Sequence, residues 1–267
     1  MSYYNTYYFA NVINNVINDR FDYLRNLDEF LVGYLTLSDK FEKRSILHQF
    51  ISFIIEDLFY ESIEEDFKSL EQVTIEAIKK KKVWLNLALN YHGIKHTPFK
   101  QWINENSNSN EHPEDLFYTY INEFLYDERL LLIEKLTDEV FYILFMNRKF
   151  LLNFNYFISG HIARSDINDM FCEYRDLLSK SGVLKRTNIP EWVKNAVYFR
   201  DRGHCVFCES DLPNIITRLS IKNYDHIVPL NQGGVNDVSN IQLTCKACNM
   251  KKLDKEVKTS NVYELWY

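Results

Sequence analysis

Apolar residues recur at helical spacing through the first two thirds of the chain. Phe21, Leu24, Leu27 and Leu31 fall three to four residues apart, as do Ile46, Phe50, Phe53 and Ile54, the interval that lines one face of an α-helix. From Glu71 to Asn90 the pattern continues through Val73, Ile75, Ile78, Val83, Leu85 and Leu89, and closes near Gly93. Leu116 to about Ile162 reads as two helices, and Asp166–Leu178 as one more. Ser38–Asp39 reads as a helix N-terminus and Ser62-x-x-Glu65 as a capping box, in which side chains satisfy backbone N–H groups that the helix leaves unpaired. The polar stretch Asn104–Asn110, followed by Glu111-His112-Pro113, reads as a loop. Breakers are scarce, with only four of the seven Gly and two of the five Pro in the first 186 residues, which favours long helices. The pattern predicts an all-α domain over residues 1–185, with roughly six or seven helices.

Composition narrows the class. A chain of 267 residues with 46% hydrophobic and 25% charged residues has the balance of a globular protein with a sizeable core, which excludes wholesale disorder and collagen-like structure. No apolar stretch approaches the roughly 20 residues that span a bilayer. The best one, Val140 to Met146, runs straight into Asn147, Arg148 and Lys149. The first twenty residues show neither a basic segment nor a clean apolar one, so no secretory signal is read and a cytoplasmic location is expected. The net charge of −6 predicts no global affinity for nucleic acid. Residues 187–267, however, hold ten Lys/Arg against nine Asp/Glu, whereas the rest hold 21 against 28. Any phosphate contact is therefore local. The 15% aromatic content is not taken as a sign of base stacking, because Tyr and Phe, like the abundant Asn, Ile and Lys, use AT-rich codons.

Beyond Ser179-Lys-Ser-Gly182 the character changes, and Asn188-Ile-Pro190 starts a second region, residues 186–267, holding four of the five Cys and three of the seven Gly. Cys205-x2-Cys208 and Cys245-x2-Cys248 are two identical pairs. Each can place two thiolates on one metal at about 2.3 Å, and two pairs complete a tetrahedral zinc site. Two disulfides, which a reducing compartment disfavours, or four unrelated buried thiols are the other readings. Four thiolates leave no open position, so this zinc would hold the fold and not act in catalysis. Cys172, in the helical part, reads as a small buried residue.

Between the pairs lie Asn223-Tyr-Asp225-His226-Ile-Val-Pro229, then Gly233-Gly234, then Asp237-Val-Ser-Asn240, and the second pair runs into Asn249-Met-Lys251-Lys252. With Pro190-x2-Val193 and Arg200-Asp201 ahead of the first pair, this stretch from Ile189 to about Glu256 resembles the HNH endonucleases of the ββα-metal (His-Me) finger class, in the version with a four-Cys zinc site. The resemblance covers about a quarter of the chain. It implies a small α+β finger with structural zinc, His226 as general base, Asp225 and Asn249 as ligands of a catalytic metal, and Asn240 as a brace for the loop that aims the imidazole. The last member of the H-N-H triplet is Asn249 where the family often has His, which alters the metal.

The chemistry of those residues is consistent with that role. Phosphodiester hydrolysis needs an activated water and stabilisation of charge on the phosphate. An imidazole with an ordinary pKa near 6.5 can take the water's proton at neutral pH. Two oxygen ligands, from Asp225 and Asn249, favour Mg²⁺ or Mn²⁺. On a straight strand Asp225 and His226 would point to opposite faces, so both serve one site only if the strand bends or ends there. Lys251, Lys252 and Arg200 are the candidate contacts to DNA phosphates, with a solvated surface as the alternative.

The helical region shows no second chemistry: the phosphate-loop, dinucleotide, H-E-x-x-H and G-x-S-x-G patterns are all missing. Arg44 and His48 stand too close together to match the helical HEPN ribonucleases. The expectation is a mainly α chain whose residues 186–267 form a metal-dependent nuclease acting on DNA, giving 5′-phosphate and 3′-hydroxyl ends, in defence against invading DNA. The alternatives are a non-catalytic zinc-stabilised binding module, a nuclease for RNA or single strands, and a toxin. Residues 1–185 are expected either to control the nuclease through a protein partner or self-association, or to serve only as its scaffold.

Overall fold

The structure, a computed structural model, describes residues 5–19, 27–68, 74–106, 112–164, 174–179, 183–212 and 224–260. The chain is mostly α-helical and ends in a small ββα region that carries the four clustered cysteines. Before residue 185, seven described helices have at least six residues. They are α1 (Thr6–Asn18), α2 (Ile46–Lys68), α3 (Trp84–Tyr91), α4 (Phe99–Asn106), α5 (Pro113–Tyr118), α6 (Tyr126–Phe145) and α7 (Arg148–Arg164). Then come α8 (Glu191–Arg200), β1 (Tyr224–His226), β2 (Ile241–Leu243) and α9 (Lys246–Lys252).

By their contacts, the residues divide into two compact units, Met1–Asn11 with Ile51–Val140, and Val12–Phe50 with Phe141–Tyr267. The divisions fall inside α1, α2 and α6, and residues 12–50 and 141–164 cluster with the C-terminal finger. The first unit is built on an aromatic core in which the Phe99 and Tyr120 rings lie 4.9 Å apart. The buried Tyr120 hydroxyl accepts a bond from Asn86 Nδ2 at 2.6 Å and donates to the Thr97 carbonyl at 2.7 Å. Burial pushes its pKa up to about 12, because the phenolate would lose its water. The second unit centres on Phe50, with Phe30 at 5.1 Å and Phe154 at 5.4 Å.

Several local readings of the sequence are corrected. Ser38–Asp39 does not start a helix, since the chain is non-helical until Ile46 and Ser38 Oγ accepts from Lys40 N in a turn. Ser62 is buried inside α2 and caps nothing. The true cap of α2 is Ser45, whose Oγ accepts from His48 N at 3.3 Å while His48 Nδ1 accepts from Ser45 N at 3.1 Å. This is a capping box with His in the place of Glu. Glu71 to Asn90 is not one helix: of its described part, only a turn at Ile75–Ile78 and α3 are helical. The span read as two helices is three, because α5 widens into a π-turn that ends where Leu125 N reaches the Tyr120 carbonyl at 3.0 Å. Asn147 then caps α7 by accepting from Phe150 N. Of the helix expected over Asp166–Leu178, the described residues form a 3-10 turn at Arg175–Leu177 and a bridge from Leu178 to Leu184. Residues 165–173, with Cys172, lie outside the described residues.

Candidate metal centre and catalytic cleft

Two turns bring the cysteines together. The first is a tight knuckle in which Cys205 N donates to the Ser210 carbonyl and Glu209 N to the Cys205 carbonyl. Gly203 opens it with φ of 69°, the left-handed region that glycine enters without strain, and a Cβ there would meet the Tyr198 hydroxyl at 2.8 Å. The second is the start of α9, where Cys245 Sγ caps the helix by accepting from Cys248 N at 3.4 Å. Val206 N donates to the Leu243 carbonyl, tying the knuckle to β2. All four sulfurs lie within 4.8 Å of one another, and those of Cys208 and Cys245 are 3.7 Å apart. Tetrahedral thiolates at about 2.3 Å from one ion would be about 3.8 Å apart, so the cluster is sized for a metal. Hydrogen bonds from Ser210 draw the Cys208 thiol down to about 6, whereas burial raises Cys205 and Cys248 above the ordinary thiol range. His204 is not in the cluster; its Nδ1 lies 2.6 Å from the Arg202 carbonyl.

The other residues gather around β1 and the start of α9. β1 and β2 are antiparallel, with Asp225 opposite Gln242 and His226 opposite Ile241. Tyr224 and His226 face inward, while Asp225 lies between them on the half-buried side. The strand stops at His226 and the chain bends over Ile227–Val228. Asp225, His226 and Asn249 line one cleft of about 830 Å³ together with Lys185, Arg186, Asn231 and Asp254.

Each member is held in a different way. Asp225 Oδ2 receives Lys252 Nζ at 2.9 Å and Gln242 Nε2 at 3.2 Å. Both bonds fall on Oδ2, leaving Oδ1 as the oxygen available to the cleft among the described residues. His226 is buried, and its Nε2 has no hydrogen-bond partner among the described residues. Burial, then repulsion from Arg186, with Asn236 opposing and Lys252 adding to the shift, pushes its pKa down to about 3. The ring is therefore neutral at pH 7, and a proton gained there must be offset by nearby negative charge.

Asn240 pins both ends of the loop behind His226. Its Oδ1 accepts from Val228 N at 2.8 Å, and its Nδ2 donates to the Val228 and Val235 carbonyls at 3.0 Å. Gly234 closes this loop so tightly that a Cβ would collide with the Val228 carbonyl. A Cβ on Gly233 would meet the Ser159 carbonyl of α7 at 2.8 Å. Sequence reasoning passed over Asp237, a buried carboxylate that accepts from Ser239 N at 2.9 Å and from Ile46 N, at the start of α2, at 2.8 Å. Asn155 of α7 adds a bond to the Ser239 carbonyl at 3.1 Å. The loop is thus bolted to helices that lie far away in sequence.

Two expected phosphate contacts are corrected. Arg200 is buried, with Nε and Nη2 on the Asp201 carboxylate at 2.9 Å, Nη2 also on the Ile241 carbonyl at 2.7 Å, and its guanidinium over the Phe145 ring. Asp201 in turn accepts from Leu243 N, so the pair clamps β2. Lys252 is also buried, bonded to Asp225 and to the His226 carbonyl at 2.7 Å. Only Lys251 of the three is exposed.

Residues 205–255 match the family model described as HNH endonuclease. The chain thus carries a C-terminal HNH domain with a four-Cys cluster able to bind a metal, preceded by an all-helical region, and that domain is a nuclease-type module. No curated protein and no solved structure gives a match to the chain. No described helix is long and apolar enough to cross a membrane.

Proposed function

We propose that the protein is a metal-dependent endonuclease that hydrolyses DNA phosphodiester bonds in the cytoplasm, leaving 5′-phosphate and 3′-hydroxyl ends, with residues 186–267 as its nuclease domain. The observation that carries this reading is the shared cleft of Asp225, His226 and Asn249 inside the region that matches the nuclease family. The cysteine cluster takes zinc and keeps the finger folded. Asp225 Oδ1 and the Asn249 side-chain oxygen are hard donors suited to Mg²⁺ or Mn²⁺, which when bound supplies Lewis acidity and neutralises phosphate charge. His226 Nε2 takes a proton from water as the water oxygen attacks phosphorus and the bond to the 3′ oxygen breaks, the 3′ oxygen leaving with the electron pair and taking a proton from solvent to become the 3′-hydroxyl. The negative charge gathering on the phosphate offsets the buried imidazolium. Asn240, through the loop it ties, keeps the ring in register.

The bonds from Asp237 to α2 and from Asn155 to the loop favour a scaffolding role for the helices nearest the finger. The test is purified full-length protein with supercoiled plasmid, linear duplex, single-stranded DNA and RNA, across Mg²⁺, Mn²⁺ and EDTA. Cleavage of duplex DNA that EDTA abolishes is expected. Cleavage of RNA alone would reassign the substrate, and no cleavage of any substrate would favour a binding module.

A further inference from the structure

The segment that reads as a linker between the helices and the finger forms one wall of the cleft. Leu178 bridges to Leu184 in antiparallel fashion, Ser179 N donates to the Val183 carbonyl at 2.8 Å, and Lys185 N donates to the Leu177 carbonyl at 3.0 Å. Leu184 is buried beneath it. Asn236, itself buried in the loop behind His226, donates from Nδ2 to the Lys185 carbonyl at 2.7 Å. The backbone ahead of Arg186 is therefore fixed to the finger, and the exposed Arg186 side chain stands in the same cleft as His226, Asp225 and Asn249.

Three other described cations of this region are already committed. Arg200 is buried on Asp201, Lys252 on Asp225, and Lys185 Nζ donates to the Asp176 carbonyl at 2.7 Å. Lys251 is exposed but does not line the cleft. Among the described residues no side chain hydrogen-bonds the Arg186 guanidinium. A phosphate entering the cleft would meet the carboxylate of Asp254 beside that of Asp225, which Lys252 already pairs, so a further positive group favours its entry. A guanidinium is well suited, since its planar fork can donate two parallel bonds to phosphate oxygens and it stays charged at all working pH values.

We propose that Arg186 binds a phosphate of the nucleic-acid substrate in this cleft, held there by residues 183–185, which pair with residues 177–179 and which Asn236 ties to the finger. The proposal rests on the nuclease reading above. The test uses the full-length protein with His226→Ala to prevent turnover, a fluorescent duplex DNA oligonucleotide with Mg²⁺, and a salt titration of the dissociation constant. Arg186→Met is expected to weaken binding about tenfold and to lower the slope of log affinity against log salt by about one, as loss of a single phosphate contact requires. Arg186→Lys is expected to restore the slope but not all of the affinity, and neither change should shift the melting temperature of an exposed site. Unchanged affinity and slope in Arg186→Met would overturn the proposal while leaving the nuclease reading intact. A parent protein that binds no nucleic acid would overturn both. A matching RNA oligonucleotide bound more tightly than the duplex, with the same dependence on Arg186, would support the phosphate contact and move the substrate from DNA to RNA.

Discussion

The cysteine cluster and the cleft are both attached to one short strand pair, and they are built on opposite principles. The cluster uses four copies of one soft ligand, closed on themselves within 4.8 Å, so its geometry needs little from the rest of the chain. The cleft uses three different side chains, and the segment that carries two of them is held from several directions. Asp225 is held by Lys252 and Gln242, the His226 backbone by Lys252, and the loop by Asn240, which Asp237 and Asn155 in turn anchor to distant helices. Folding energy concentrates in the first region and positional accuracy in the second. An open cleft cannot close over its own groups, so its rigidity has to come from behind.

The comparison breaks most sharply at the cysteines. Cys245→Ser should release the metal and unfold the finger, because a structural zinc site contributes about 10 kcal/mol or more to folding in small domains. Metal content and the melting curve would read this, and a variant that kept its metal and its melting point would end the structural role.

Asp237→Ala should destabilise the protein by about 3 kcal/mol, since it leaves the Ile46 and Ser239 N–H groups without an acceptor in a buried place. Chemical denaturation would show it, with metal content unchanged. Lys252→Met should follow at about 2 kcal/mol, because Asp225 then keeps only Gln242 and the His226 carbonyl loses its donor. That variant sharpens the comparison, as it should lower activity while leaving the cysteine cluster loaded.

How far the sequence revealed each region follows from the same contrast. Identical residues at a fixed interval are a local signal, so the cysteine pairs can be read directly from the sequence. Burial is not local. Arg200 and Lys252 carry charges that belong in water by default, and only the folded partners Asp201 and Asp225 make their burial possible. Arg186 went unnoticed because it lies in a segment whose composition reads as a linker. The helix caps show the same limit: Ser62-x-x-Glu65 fits the capping pattern from inside α2, whereas Ser45-x-x-His48 does the capping with an unexpected partner. The one local hint of the Arg200 clamp was its sequence neighbour, Asp201.

The smallest expected effect concerns pH. His48 is stacked on Phe141 at 3.8 Å, and burial, with repulsion from Arg44, lowers its pKa from 6.5 to about 4. The unfolded chain therefore takes up a proton first. The stability this ring contributes is fully present above pH 6.5 and is lost as pH falls from there toward 4, by about 1 kcal/mol between pH 7.5 and 5.5. His48→Gln keeps an acceptor at that position of the capping box and should flatten that limb of the stability curve. An unchanged acid limb would assign it to other groups.

The most direct test of the central claim compares plasmid nicking by the wild-type protein and His226→Ala, with zinc content and melting measured on the same samples. If the cleft does the chemistry and the cysteines hold the fold, the variant nicks about 100-fold or more slowly in Mg²⁺ or Mn²⁺, with wild-type zinc content and melting behaviour. Equal nicking by the two proteins, or a loss of activity that only follows a loss of zinc, would contradict the account.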